Sequence, residues 1–188
     1  MPGFVVDGTN SFVSKMANGG ARASLFQAFI NLSSVADDIT ATSKPEFSFI
    51  CKGIQIPSNI IGITTVNYMG RAVKLPGNRT YEDLSTTVIN DEGYAFRNGV
   101  ENWMNKINSH EGNVRASSHL SKLSGYTGTM TLSTYTKSGT AESDGWSFMN
   151  IFPTSLDQID VNWDPNDAVM EYTINWAYDY WVIGSESG

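Results

Sequence analysis

The chain has 188 residues, 40% hydrophobic and 12% aromatic, enough for one ordinary domain that buries roughly 70% of its unfolded surface without disulfide or metal support. A formal net charge of −7 with 12 scattered basic residues excludes the clustered Lys/Arg of a nucleic-acid grip, and the lone Cys51 excludes an intramolecular disulfide and offers no metal-ligand spacing. The opening residues lack the basic start and apolar stretch of a secretion signal, and no window approaches the ~20 apolar residues of a membrane span, so a soluble protein made in the cytoplasm is expected, with no membrane binding.

Residues 1–24 mix small, polar and glycine residues, with Asn18-Gly19-Gly20-Ala21 as the clearest break, and read as an N-terminal arm. Residues 25–32 and 46–54 read as strands, the second with Phe47, Phe49 and Cys51 on one face by the two-residue period. Between them residues 33–45 form a polar loop, long for a simple hairpin and therefore a candidate for contacts. A Pro57-Ser58-Asn59 turn precedes a strand at 61–69. Gly70 breaks it, and 71–75 resumes before the turn signal Pro76-Gly77-Asn78, giving a second hairpin. Residues 83–89, rich in Thr and Val, predict another strand.

The period then changes. From residue 92 to 108 the apolar Phe96, Val100, Trp103, Met104 and Ile107 recur at spacings of three and four, which predicts a helix with those residues on its core face. Asn90 or Asp91 is expected to cap it, Glu92 suits the positive end of its dipole, and Gly99 costs it about 1 kcal/mol against alanine. Residues 109–125 are assigned no regular structure. Residues 126–136 and 146–151 flank a polar turn as a third hairpin, and 157–163 read as a short strand before the turn at 164–167. A final strand of fourteen residues, 169–182, places Met170, Tyr172, Ile174, Trp176, Tyr178 and Tyr180 on one face, followed by a C-terminal tail at 183–188.

Mostly antiparallel strands with one main helix predict a mainly β single domain over residues 1–188, a barrel or sandwich with a helix laid across it. Long aromatic strands with few lysines leave edges that recruit other strands, so either assembly or cover by the N-terminal arm is expected. Catalytic chemistry is missing. His110 and His119 lie in the polar connector with no triad partner placed by sequence, and His110-Glu111-Gly112 does not continue into a zinc-protease helix. Asp164-Pro165-Asn166-Asp167 lacks the length, central glycine and distal glutamate of a calcium loop. The pairs Asp37-Asp38 and Glu82-Asp83 are adjacent in chain, which turns their side chains apart in a strand. No enzyme, cofactor or metal is expected.

The stretch at 49–57, the blocks Tyr68-Met69-Gly70-Arg71 and Leu75-Pro76-Gly77-Asn78-Arg79-Thr80-Tyr81-Glu82-Asp83, then Val88-Ile89-Asn90-Asp91-Glu92, Phe152-Pro153-Thr154-Ser155, Val161-Asn162-Trp163-Asp164 and Tyr178-Asp179-Tyr180-Trp181 recur in one order. Spanning residues 25–181, they resemble the tail tube family of T-even-like contractile-tailed bacteriophages. The resemblance implies a structural subunit of the virion tail, assembled in the host bacterial cytoplasm. Six copies would form a ring with a continuous inner β-barrel, and rings would stack into the tube. The implied partners are further copies of the chain, the tail sheath protein, the tape-measure protein in the lumen, the baseplate tube-initiator and the tail terminator. DNA would pass an acidic lumen without specific binding. In that frame Asp37, Asp38, Lys44, Tyr178, Tyr180 and Trp181 are candidates for ring and stacking contacts, and Glu101, Asn105 and Lys106 for the sheath-facing side of the helix. The arm and the 33–45 loop are longer than in the T-even form. Alternatives are a tube protein of another contractile injection system, a baseplate tube-initiator, a carbohydrate-binding β-sandwich with exposed Trp and Tyr, and a hydrolase acting through Cys51 or a histidine, tested by Cys51→Ser or His119→Ala.

Overall fold

In segments such as residues 84–89, 128–132 and 171–177 buried residues alternate with less buried ones, and the backbone follows that period into strands. The computed structural model describes residues 20–32, 47–48, 50–114, 122–139, 145–159, 161–163 and 169–184. In chain order they form β1 (Phe26–Leu32), β2 (Cys51–Gln55), β3 (Asn59–Tyr68), β4 (Arg71–Tyr81), β5 (Leu84–Ile89), α1 (Ala95–Ile107), the short α2 (Leu123–Tyr126), β6 (Gly128–Thr134), β7 (Trp146–Leu156), β8 (Glu171–Ala177) and β9 (Tyr180–Ile183). Seven strands join in one sheet in the order β1-β6-β7-β8-β5-β2, with β9 paired to β7 off that path, while β3 and β4 pair as a separate ribbon. All of these pairings are antiparallel. The domain is mainly β with one main helix. Of the expected barrel or sandwich, the described residues form no closed barrel: their strand path stays open.

The core lies where sheet and helix meet. Alternate residues of β5 (Leu84, Thr86, Val88) and β8 (Tyr172, Ile174, Trp176) are buried, as are Met130 and Leu132 of β6, Ala28 and Ile30 of β1, and Phe148 and Ile151 of β7. Helix α1 adds Phe96, Val100 and Trp103, with Met104 and Ile107 half-buried at its margin. Trp103 lies 5.9 Å from the Trp176 ring, and its indole N–H donates to the Tyr126 carbonyl at 2.8 Å. Phe96 stacks on Phe47 at 5.0 Å. The buried hydroxyl of Thr86 accepts from the Trp176 indole at 2.8 Å, so neither polar group is stranded in the core.

Several elements differ from their predicted form. In the strand expected at 46–54, Phe47, Ser48 and Ile50 are helical and β2 begins only at Cys51. Phe47 and Cys51 are four residues apart and both buried, and that spacing suits one face of a helix as well as one face of a strand. Phe49 lies outside the described residues. The turn expected at Pro76-Gly77-Asn78 is instead interior to β4, where the ladder slips between Ile61 and Ile63. A Cβ on Gly77 would stand 3.1 Å from the Gly62 carbonyl oxygen, so the Pro-Gly pair fits a bulge with close backbone approach. The hairpin reverses at Met69-Gly70, both left-handed with φ of 45° and 78°.

Helix α1 starts at Ala95, later than the predicted 92, because Tyr94 takes a left-handed φ of 52°. The Asp91 carboxylate accepts the Ala95 amide at 3.1 Å. Within the connector expected to lack regular structure, α2 adds a single helical turn before β6. Strand β7 runs five residues past its expected end at 151, and among the described residues of the predicted 157–163 strand none is extended into a ladder. The long final strand is divided at Tyr178-Asp179 into β8 and β9, both served by β7. Residues 146–149 of β7 pair with β9, while Phe152, Pro153, Ser155 and Leu156 pair with β8. Asn150 marks the change with φ 56°, and its side-chain amide donates to Asp179 at 2.6 Å.

Candidate assembly surface

Strands β3 and β4 carry apolar residues that their own chain does not cover. Their ten and eleven residues pair only with each other among the described residues. One face presents Val66, Tyr68, Val73 and Leu75, with Val66 opposite Val73. Ile60, Ile61 and Ile63 are exposed nearer its base, and at the tip Tyr68 and Met69 are 67% and 87% exposed. A two-stranded ribbon alone is marginally stable in water, and an exposed apolar surface of this extent marks an interaction site. Its charge is equally one-sided. Arg71, Lys74 and Arg79 lie on it, and no Asp or Glu occurs between Phe47 and Tyr81 in a chain of net charge −7. The alternation of apolar residues here predicts no more than an ordinary hairpin. The missing acids and the apolar residues on both faces were the signals of an element awaiting a partner.

Three further strands end the sheet. β1 pairs only with β6, β2 only with β5, and β9 only with β7, so each has one row of ladder groups without a strand partner among the described residues. The edge of β1 shows Phe29 to solvent and that of β9 shows Tyr180 and Ile183.

The residues singled out from sequence fall in different places. Tyr180 is exposed on β9, Trp181 is half-buried, and Tyr178 is held inside its own chain. The Tyr178 ring meets Phe148 at 5.2 Å edge-on, and its hydroxyl donates to the Glu82 carbonyl at 2.8 Å. Burial, reinforced by Asp83, pushes that phenol up to about 12. Asp37, Asp38 and Lys44 lie outside the described residues, as does His119. On α1 Glu101 is exposed, Asn105 and Lys106 are half-buried, and Glu101 meets Arg97 at 3.3 Å. Arg97 also lies over the Tyr172 ring at 5.1 Å.

Cys51 is buried, and desolvation pushes its thiol up to about 11, so it carries little of the thiolate a nucleophile needs. His110 sits in the turn after α1, its amide donating to Asn105 at 3.2 Å. Among the described residues no three His, Cys, Asp or Glu side chains converge as metal ligands.

This antiparallel fold is shared with chains from contractile injection assemblies. It superposes with TM-score 0.61 on a chain from an extracellular contractile injection system sheath-tube complex, at 16% identity and covering 94% of this chain and 99% of the other. It superposes with TM-score 0.62 on a chain from the anti-feeding prophage baseplate, at 11% identity and covering 90% and 98%. Residues 9–184 match the phage tail tube protein family, and the chain belongs to that family. It is 26% identical over 178 residues to the tail tube protein of Enterobacteria phage T4, covering 95% of this chain and 99% of that one. The tail tube protein of Serratia phage KSP90 is 23% identical over 169 residues, covering 90% and 93%. The chain is thus a structural tail tube protein of the virion tail, as the T-even resemblance implied.

Proposed function

We propose that copies of this chain close into six-membered rings whose sheets join edge to edge around a lumen, and that the rings stack into the inner tube of a contractile tail. The observation that carries this reading is the β3–β4 ribbon, apolar on its exposed surface and cationic in an otherwise acidic chain. Such an element is stabilised only when another chain covers it. The unpaired edges of β1, β2 and β9 supply ladder groups for pairing across copies. Tyr180 and Trp181 of β9 stand at that joint, while Asp37, Asp38 and Lys44 of the 33–45 loop reach neighbouring rings.

The outer face of α1, through Glu101, Asn105 and Lys106, meets the sheath. The terminator and the baseplate tube-initiator cap the two ends, and the tape-measure protein and then DNA occupy the lumen, where negative charge keeps DNA from adhering. The chain performs no catalysis in this role.

Negative-stain microscopy and size-exclusion chromatography of the purified protein test the reading. Rings or tubes with six-fold class averages are expected at high concentration, and a strictly monomeric protein overturns it. Val66→Asp with Val73→Asp, both exposed in the subunit, is expected to abolish assembly while leaving the monomer's melting within about 0.5 kcal/mol of the parent.

A further inference from the structure

We propose that Trp163, with Val161 beside it, is the anchor on which the β3–β4 ribbon of a second copy of this chain docks, an inference that rests on the self-assembly reading above. Trp163 is 96% exposed and Val161 76%, and neither belongs to a strand or helix. An indole left fully in water contributes nothing to its own fold, so its apolar surface is available to a partner. In sequence this stretch is strongly acidic: Asp157, Asp160, Asp164 and Asp167 fall within eleven residues that contain no Lys or Arg.

The partner that fits is therefore apolar and cationic and lacks carboxylates. The ribbon meets each requirement, with Arg71, Lys74 and Arg79, the exposed Tyr68 and Met69 at its tip, and no acidic residue. A guanidinium stacks on an indole face and a thioether packs at an aromatic edge, so Arg71 and Met69 are matched to Trp163 in kind as well as in charge. Among the described residues, Lys52 is engaged with Glu171 at 2.6 Å, and Arg97 with Glu101 and the Tyr172 ring. The ribbon of its own chain does not cover Trp163, as the exposure of the indole shows, so the docked ribbon belongs to another copy. Charge complementarity between this acidic stretch, of which the exposed Asp157 is described, and the cationic ribbon steers the approach over the roughly 8 Å that charge reaches at physiological salt, and the indole holds the contact.

Disulfide trapping between full-length variants tests this. A Trp163→Cys chain and a Met69→Cys chain are assembled together and mildly oxidised, with buried Cys51 as an internal control. On a non-reducing gel the mixed dimer is expected on the order of tenfold above the dimer from either variant alone, because docking holds the two thiols at high effective concentration. Tubes that form without an excess of mixed dimer overturn the docking and leave the tube reading standing. A second measurement covers the case in which Trp163→Cys fails to assemble. The emission of Trp163, taken as the difference between the parent and Trp163→Phe, is expected to shift to the blue when subunits assemble, and to be quenched in tubes by a nitroxide attached at Met69→Cys. An unshifted, unquenched component in assembled tubes overturns the proposal. A parent that stays monomeric removes the self-assembly reading and this contact with it.

Discussion

Trp103 shows how a single side chain ties the helix to the sheet. Its ring packs on Trp176, and its N–H satisfies the Tyr126 carbonyl just before β6. Trp103→Ala leaves a cavity and an unpaired carbonyl, with an expected loss of about 3–5 kcal/mol in urea unfolding. Its role on the helix core face was legible from the spacing of apolar residues, whereas its partner Tyr126, 23 residues away, was not. Cys51 gives a pH prediction. Its thiol has an ordinary value of 9.0 and is raised by burial to about 11 in the fold. The unfolded chain therefore releases this proton first, so stability is fully present below pH 9 and falls as pH rises through 11. Tyr172 and Tyr178 are also raised by burial and add to the loss above pH 10. Comparing the pH dependence of parent and Cys51→Ala isolates the thiol, and the variant is expected to lack the first part of the decline.

Elements with a strong period and local caps were legible, and elements whose form depends on a neighbour were not. Helix α1 was readable from its apolar stripe; its N-cap position is Tyr94, which makes no side-chain cap hydrogen bond, and the Asp91 carboxylate from the preceding turn accepts the first helical amide, Ala95, at 3.1 Å. Asp91→Ala is expected to cost about 1 kcal/mol, seen as a lowered melting temperature and faster amide exchange in the first turn. Misreadings came from residues that serve two structures. Pro-Gly commonly makes a turn, but at Pro76-Gly77 it makes a bulge because Gly62 lies directly across the ribbon. The alternation from Met170 to Tyr180 is continuous in sequence, yet the strand divides at Tyr178-Asp179. There β7 bends at Asn150 and binds Asp179. Nothing local to residues 169–182 records that bend.

At the scale of the whole molecule, the assembly proposed above predicts that the stability of the subunit is linked to association. Assembly that buries the β3–β4 ribbon stabilises the folded state by mass action, so the parent's melting temperature is expected to rise with protein concentration once rings form. Val66→Asp with Val73→Asp is expected to melt independently of concentration, which differential scanning calorimetry across a concentration series checks. The sequence by itself determined the β-rich class, the helix and its buried face, the acidic balance and the family, because period, composition and ordered motifs are properties of the chain alone. Only the tertiary structure decided that β7 serves both β8 and β9, that Tyr178 is held within its own chain while Tyr180 is exposed, and that the β3–β4 ribbon and Trp163 are both left exposed. The reason is physical. Burial and strand pairing depend on which distant segments meet, and an apolar residue has the same identity in sequence whether its own chain covers it or leaves it for another copy.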